Sequence, residues 1–62
     1  MKDGYRVEVK YGAITKAYNF MFPDFKGAYI FAMRKTDYPA FVKATIIKVD
    51  KTDNVYYNVY IH

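Results

Sequence analysis

Apolar and polar residues alternate strictly over residues 5–11, a pattern that predicts a β-strand with one buried face and one wet face. The apolar positions are Tyr5, Val7, Val9 and Tyr11. The polar positions between them are Arg6, Glu8 and Lys10. Gly12 and Ala13 then fit a two-residue turn with glycine first, so we predict a second strand over residues 14–22. Pro23 should end that strand, because proline has no backbone N–H to donate.

The predicted turn also sets the register of this first hairpin. On the apolar face, the expected pairs are Tyr11 with Ile14, Val9 with Lys16, Val7 with Tyr18, and Tyr5 with Phe20. On the opposite face, they are Lys10 with Thr15, Glu8 with Ala17, and Arg6 with Asn19. Turn chemistry and hydrophobic pattern therefore agree on the hairpin.

Residues 24–36 admit two interpretations, and the choice between them decides the fold. On a helical wheel, one side would carry Phe25, Ala28, Tyr29, Ala32, Met33 and Thr36. Asp24 is a good N-cap, and Pro39 would stop a helix at or before Tyr38. Gly27 opposes a helix by about 1 kcal/mol relative to alanine. A strand here would be apolar on both faces and would need burial on both, so we favour the helix.

Two further strands are predicted over residues 40–49 and 55–61, joined by the polar loop 50–54. If all five loop residues separate them, Val49 pairs with Val55. On the side of the helix, Ile47 would then face Tyr57, and Thr45 would face Val59. The far face would carry Val42, Ala44, Ile46, Lys48, Tyr56, Asn58, Tyr60 and His62. A four-residue loop would change which rows share a face, but an apolar row would still be left over.

These elements predict a single α+β domain over residues 1–62, with an antiparallel four-stranded sheet and one helix on one face, in the order ββαββ. The alternative, with a strand in the centre, is a five-stranded small β-barrel. The chain is short and has no Cys, so disulfides cannot support its fold. Its eight Tyr and five Phe suit either a dense aromatic core or association.

One helix can cover only one face of the sheet, so this arrangement leaves an apolar row of the second hairpin exposed, and such patches mark interaction sites. We expect this face to be covered by a second copy in a homodimer or by another protein. The predicted partner or dimer face consists of Val42, Ile46, Lys48, Tyr56, Asn58 and Tyr60.

The residues that enzymes and metal sites require are scarce. The chain has neither Cys nor Ser, and its one His is the terminal His62, so we predict no catalytic residue and no enzyme activity. Asp50, Asp53 and Asn54 lie in one loop, but the spacing of a calcium loop is missing, so no metal or cofactor is expected. No apolar run approaches the roughly 18 residues of a membrane span, and we expect a cytoplasmic protein.

Nucleic-acid binding is the alternative function. The chain has 10 Lys and Arg against 6 Asp and Glu, a net charge of +4, although the basic residues form no run. Tyr side chains on an open sheet face can stack on bases while Lys and Arg hold phosphates. The candidate contacts are Arg6, Lys10, Lys48, Tyr56 and Tyr60.

Three stretches carry a resemblance in size and order. They are the opening hairpin YRVEVKYGAITKAYNFMF, the segment PDFKGAYIFAMRK and the closing hairpin ATIIKVDKTDNVYYNVYIH. The layout resembles that of short orphan proteins encoded by bacteriophages and other mobile elements. The resemblance implies a protein that binds a host enzyme, a polymerase or a defence complex and blocks it, acting in the host cytoplasm. It carries over no functional residue.

Overall fold

The structure is a computed structural model that describes residues 3–62. The elements in this range are β1 (Gly4–Tyr11), β2 (Ile14–Ala17), α1 (Phe25–Lys35), β3 (Phe41–Val49) and β4 (Val55–Ile61). The predicted α+β class is confirmed: within these residues one helix accompanies an antiparallel four-stranded sheet. The sheet stays open, so the five-stranded barrel alternative is wrong. No helix among the described residues is long and apolar enough to cross a membrane.

The strands lie in the order β2-β1-β3-β4, and every neighbouring pair is antiparallel. The two longest strands, β1 and β3, therefore form the centre, and the connection between their hairpins contains α1. The helix packs against the central strands on one face. β2 and β4 are left as the two edges of the sheet.

The first hairpin forms as predicted near its turn. Gly12 has a φ of 57°, the left-handed region that glycine tolerates without strain. The observed pairs include Tyr11–Ile14, Lys10–Thr15, Val9–Lys16 and Glu8–Ala17. The Tyr18 amide also donates to the Val7 carbonyl at 3.0 Å. The predicted register is therefore confirmed over this part of the hairpin.

Farther from the turn the predicted register is wrong. Tyr5 pairs with Phe22 and not with Phe20, through backbone hydrogen bonds of 2.9 and 2.8 Å. β2 ends at Ala17, and the chain leaves the sheet before it returns to Tyr5. The excursion allows the rings of Phe20 and Phe22 to pack on Phe31 of the helix, with centroid distances of 5.2 Å for each. Aromatic packing across the layers thus overrides strict pairing.

The helix begins directly after Asp24, the predicted N-cap. The Asp24 carboxylate Oδ1 accepts a hydrogen bond of 2.7 Å from the Gly27 amide. Gly27 therefore lies in the first turn, where the penalty for glycine inside a helix matters less. A Cβ at this position would lie 3.1 Å from Asp24 Oδ1, so glycine leaves room for the cap. At the other end, the Thr36 hydroxyl donates to the Met33 carbonyl at 2.7 Å.

The buried side of α1 is rotated from the predicted one. Ala28 and Ala32 are fully buried, and their small side chains let the helix approach the sheet closely. Phe31, which is not among the residues of the predicted side, packs against the core. Tyr29 and Met33, predicted to lie on the buried side, are exposed. The rotation follows from the aromatic cluster, because its rings meet Phe31.

The second hairpin contains the main correction. Val49 pairs with Val55 as predicted, but a bulge follows between Lys48 and Val49. Beyond it, Lys48 pairs with Tyr57. The remaining pairs are Ile47–Asn58, Ile46–Val59, Thr45–Tyr60 and Ala44–Ile61. The predicted pairs of Ile47 with Tyr57 and of Thr45 with Val59 are therefore wrong, because a shift of one residue exchanges the two faces of a strand.

The Ala44–Ile46 row faces the helix because Ala44 and Ile46 pair with the buried Val9 and Val7 of β1. The buried core consists of Val7, Val9, Ala28, Ala32, Ala44 and Ile46. Ile46 is 0% exposed, so its predicted place on a partner face is wrong. Lys48 also lies on the helix side, where its Nζ is 4.4 Å from the centroid of the Tyr5 ring. Its predicted place on the open face is therefore wrong as well.

Candidate binding surface on the open sheet face and the β4 edge

The face of the sheet opposite the helix holds a shallow depression of about 370 Å³. Its lining includes Glu8, Lys10, Lys43, Thr45, Asn58 and Tyr60. Ile47 is the aliphatic contribution from β3, and it is only partly exposed. The expected apolar row of β3 is thus absent from this part of the described chain, since Ala44 and Ile46 are buried under the helix. The open face is mainly polar, contrary to the prediction.

Two lysines concentrate positive charge in this depression. Lys10 on β1 and Lys43 on β3 are direct cross-strand partners. Like charges in such a position repel each other, and a bound anion would relieve that repulsion. Lys43 Nζ also lies 5.3 Å from the centroid of the Tyr60 ring, within the range of a cation–π contact. Lys10 and Tyr60, both predicted nucleic-acid contacts, therefore lie in the same depression.

Arg6 differs from Lys10 because it is engaged in an ion pair. Its guanidinium lies 2.5 Å from the Asp53 carboxylate, and both side chains are about half exposed. The loop that presents Asp53 is organised by Asp50, whose Oδ1 accepts from the Thr52 amide and hydroxyl and from the Asn54 amide at 2.8 to 2.9 Å. These hydrogen bonds, led by that from Asn54, hold the pKa of Asp50 below its ordinary value. Asp53 thus partly neutralises the charge of Arg6.

The β4 strand forms an edge that carries no charge. Its sequence is VYYNVYI, and no other strand within residues 3–62 pairs with its outer side. Natural proteins usually protect an edge with charged residues, proline or short length. The opposite edge, β2, follows this rule, with only four residues, one of them Lys16. β4 has no charged residue and no proline, but it contains a bulge at Tyr56, the residue left over where Lys48 pairs with Tyr57 and Val49 with Val55. The regular part of the edge, residues 57–61, offers unpaired outer backbone groups.

Several large side chains of the β4 edge strand are exposed to solvent. Tyr56 and Tyr60 are 58% and 52% exposed. Asn58 lies between them on alternate positions, and its Nδ2 donates to the Tyr60 hydroxyl at 3.3 Å. We call Tyr56, Asn58 and Tyr60 the tyrosine row. Asn58 and Tyr60 pair with Ile47 and Thr45 and so share the open face, whereas Tyr56 lies at the bulge of β4.

Val42, the remaining member of the predicted face, is separated from the tyrosine row. It is 46% exposed and lies two residues before Ala44, which forms the last pair between β3 and β4. A second bulge, where pairing passes from Lys10–Lys43 to Tyr11–Phe41, leaves Val42 without a partner on β1. Val42 therefore sits at the end of the sheet and does not extend the row.

A partly buried pair of tyrosines, Tyr11 and Tyr18, lies on the helix side of the sheet, away from this surface. The Tyr11 and Tyr18 hydroxyls are 3.0 Å apart and hydrogen-bonded to each other. Burial raises the pKa of Tyr11 to about 12, and the hydrogen bond to Tyr18 adds to the rise. Lys35 Nζ lies 5.4 Å from the centroid of the Tyr18 ring. These contacts tie β1, the chain after β2 and the helix together, and we assign them to stability.

The candidate surface thus combines a basic depression, a tyrosine row and an unprotected strand edge. The lack of charge in residues 55–61 is visible in the sequence, but it does not by itself show that β4 is an edge. That follows from the strand order, in which β1 pairs with β3. Comparison with family models, with curated proteins and with solved structures finds no match to this chain.

Proposed function

We propose that this protein is a small non-enzymatic binding module that acts by occupying a surface of a larger protein. The observation that supports this most directly is the tyrosine row, which is exposed on an uncharged edge strand. Tyrosine provides a large contact area at a low entropy cost, because its side chain has few rotatable bonds. Such residues frequently dominate the energy of protein interfaces.

The charges next to the row indicate the kind of target. Lys43 contacts the Tyr60 ring and faces Lys10 across the strands. The net charge of the chain is +4. A target surface with apolar pockets for Tyr56 and Tyr60 and an acidic rim near Lys43 would complement both features.

The physiological role is also part of this proposal. The resemblance to short orphan proteins of bacteriophages and mobile elements implies a host enzyme, polymerase or defence complex as the target. Binding would then block the target by occlusion, in the cytoplasm of the host.

The test compares two pairs of substitutions. Wild-type protein is used to isolate a target from host extract, and the affinity of the purified target is then measured for each variant. The Tyr56→Ala and Tyr60→Ala double variant should keep its far-UV circular dichroism and lose at least tenfold in affinity. Ile14→Ala, at an exposed position on the other edge strand, should bind as wild type. Unchanged affinity in the folded tyrosine variant would refute the proposal.

Single-stranded nucleic acid is the second candidate, and the basic depression is the observation that favours it. Tyr60 could stack on a base while Lys10 and Lys43 contact phosphates. Fluorescence anisotropy with labelled single strands at two salt concentrations tests this. Affinity should fall steeply with salt, and the Lys10→Gln, Lys43→Gln variant should show a weaker salt dependence, by about 0.7 in log–log slope per lost phosphate contact. Absence of measurable binding at low salt would eliminate this candidate.

A further inference from the structure

The sequence of β4 reads similarly in both directions from its central residue, with aromatic or aliphatic residues at equal distances on either side. The strand spans Val55–Ile61, and Asn58 is its middle position. If two copies of β4 paired antiparallel about an axis at Asn58, every residue of the strand would lie opposite one in the other copy, with Tyr57, Asn58 and Val59 as the regular centre and Tyr56 at the bulge. The resulting pairs are Asn58 with Asn58, Tyr57 with Val59, Tyr56 with Tyr60, and Val55 with Ile61.

From this match we propose that a second copy of this chain occupies the β4 edge, which makes the protein a two-fold symmetric dimer. The inference rests on the proposed function in taking the β4 edge as a binding surface, and it names the occupant. Two four-stranded sheets would join into one continuous sheet of eight strands. The backbone groups on the outer side of β4 would then be paired instead of remaining open to other chains.

The two faces of the sheet agree with this arrangement. A two-fold axis perpendicular to the sheet keeps both helices on the same side. Tyr57 and Val59 lie opposite Lys48 and Ile46 and so belong to the helix side, where they would pair with each other. Asn58 and Tyr60 lie opposite Ile47 and Thr45 and so belong to the open face, where each Tyr60 would come next to the bulge residue Tyr56 of the other copy. Both rows therefore place compatible side chains together.

Neighbouring registers fit less well. Centring the pairing on Tyr57 would place the apolar Ile61 opposite Asp53, a charged loop residue that pairs with Arg6. Centring it on Val59 would place Val55 opposite a position outside β4, which ends at Ile61. The Asn58 register is the one of these three that pairs the whole strand without placing a charge in the interface.

The positive charge of the chain does not prevent the association. The nearest lysines on the neighbouring strand are Lys43 and Lys48, on β3. With strands about 4.8 Å apart, the two β3 strands of a dimer would be separated by about 14 Å. That distance exceeds the Debye length of about 8 Å at physiological ionic strength, so repulsion between these lysines is largely screened.

The dimer would also double the tyrosine row. Tyr60 of both copies would lie on the open face, each next to Tyr56 of the other copy, with a Lys10–Lys43 pair on either side. The target of the proposed function would then meet this shared surface and not a bare strand edge. A protein with one short row would thereby present a wide symmetric site.

Cysteine cross-linking tests the register directly, because the native chain has no Cys. In the proposed dimer the two Asn58 Cα atoms are about 4.5–5.5 Å apart, which suits a disulfide. Asn58→Cys should therefore form a covalent dimer under mild oxidation. Tyr56→Cys alone should not, because its two copies lie about 14 Å apart along the strands. Tyr56→Cys combined with Tyr60→Cys should cross-link again, whereas Thr15→Cys on the β2 edge should stay monomeric.

Light scattering supplies the independent measurement. Wild type should have about twice the 7.3 kDa mass of one chain, and Asn58→Lys should be a folded monomer because it places two ammonium groups opposite each other. Thr15→Lys should remain dimeric. A monomeric wild type at 100-micromolar concentration, or equal cross-linking of Thr15→Cys and Asn58→Cys, would overturn the inference.

The dimer and the proposed function fail in different ways. A monomeric wild type whose tyrosine variant still loses its target overturns the dimer and leaves target binding intact. A dimeric wild type without a target supports the dimer and counts against the proposed function.

Discussion

The orientation of β3 can be tested by removing one methyl group from each of two neighbouring isoleucines. Ile46 is fully buried under the helix, whereas Ile47 lies on the open face and is partly exposed. The predicted pairing of the second hairpin gave the opposite arrangement, with Ile47 toward the helix. Ile46→Val and Ile47→Val are the same chemical change, so their difference reports burial alone.

The expected magnitudes follow from this burial. Ile46→Val should lower the free energy of unfolding by about 1 kcal/mol, because a buried methyl group is lost and the cavity cannot fully close. For a domain of this length that corresponds to a fall in Tm of about 4–8 °C. Ile47→Val should cost less than about 0.5 kcal/mol, since solvent already reaches its side chain.

Urea unfolding followed by far-UV circular dichroism measures both variants against wild type. The slopes of the transitions should be equal, so that the midpoints report stability alone. A cost for Ile47→Val equal to or greater than that for Ile46→Val would show that the β3 rows face the other way. In that case the pairing of Ile46 with Val7 of β1 would also be incorrect, because it sets these faces.

Three further predictions concern the turn, the tyrosine pair and the second loop. Gly12→Ala should lower the free energy of unfolding by about 1 kcal/mol, because the left-handed φ of 57° disfavours a side chain even though no described atom lies within 4 Å of the new Cβ; an unchanged urea midpoint would contradict this. The folded pKa of Tyr11 is about 12 and its unfolded pKa is about 10, so its stabilisation is complete below pH 10 and is lost as the pH rises toward 12. The stability advantage of wild type over Tyr11→Phe should therefore shrink between pH 8 and pH 11.5, and a constant difference would refute the assignment. The lowered pKa of Asp50 gives the opposite pH dependence. Its contribution to the free energy of unfolding is present above its ordinary pKa of 3.8 and is lost as the pH falls through the folded pKa. Asp50→Asn should be less stable than wild type at pH 7, and the difference should close as the pH falls below 3.8 and through the folded pKa; a difference that persists in acid would rule out the carboxylate as its source.

The parts of the fold that the sequence predicts correctly are those controlled by neighbours in the chain. Gly12 and the alternation around it give the first hairpin, since both act within a few residues. Asp24 gives the start of the helix through its bond to the Gly27 amide. These local signals agree with one another, and the α+β class follows from their order.

The candidate site is predicted only in part, because it depends on which strands are neighbours. Asn58 and Tyr60 alternate along one strand, so their common row follows from the sequence, whereas the bulge at Tyr56 does not. Ile46 and Lys48 were assigned to the same face through an unbroken register, and the bulge removes both from it. A bulge of this kind leaves little trace in composition, because both rows of β3 contain aliphatic residues.

By itself, the sequence determined the elements, the turn and cap that begin them, and the uncharged character of β4, because each of these depends on residues close together in the chain. The tertiary structure decided which rows are buried and which strand is an edge. The close approach of Ala28 and Ala32 to the sheet favours Ala44 and Ile46 beneath the helix, and the aromatic cluster on Phe31 draws Phe20 and Phe22 out of strict pairing. Which rows are buried depends on packing between segments that are distant in the chain, and that packing exists only once the segments are in contact.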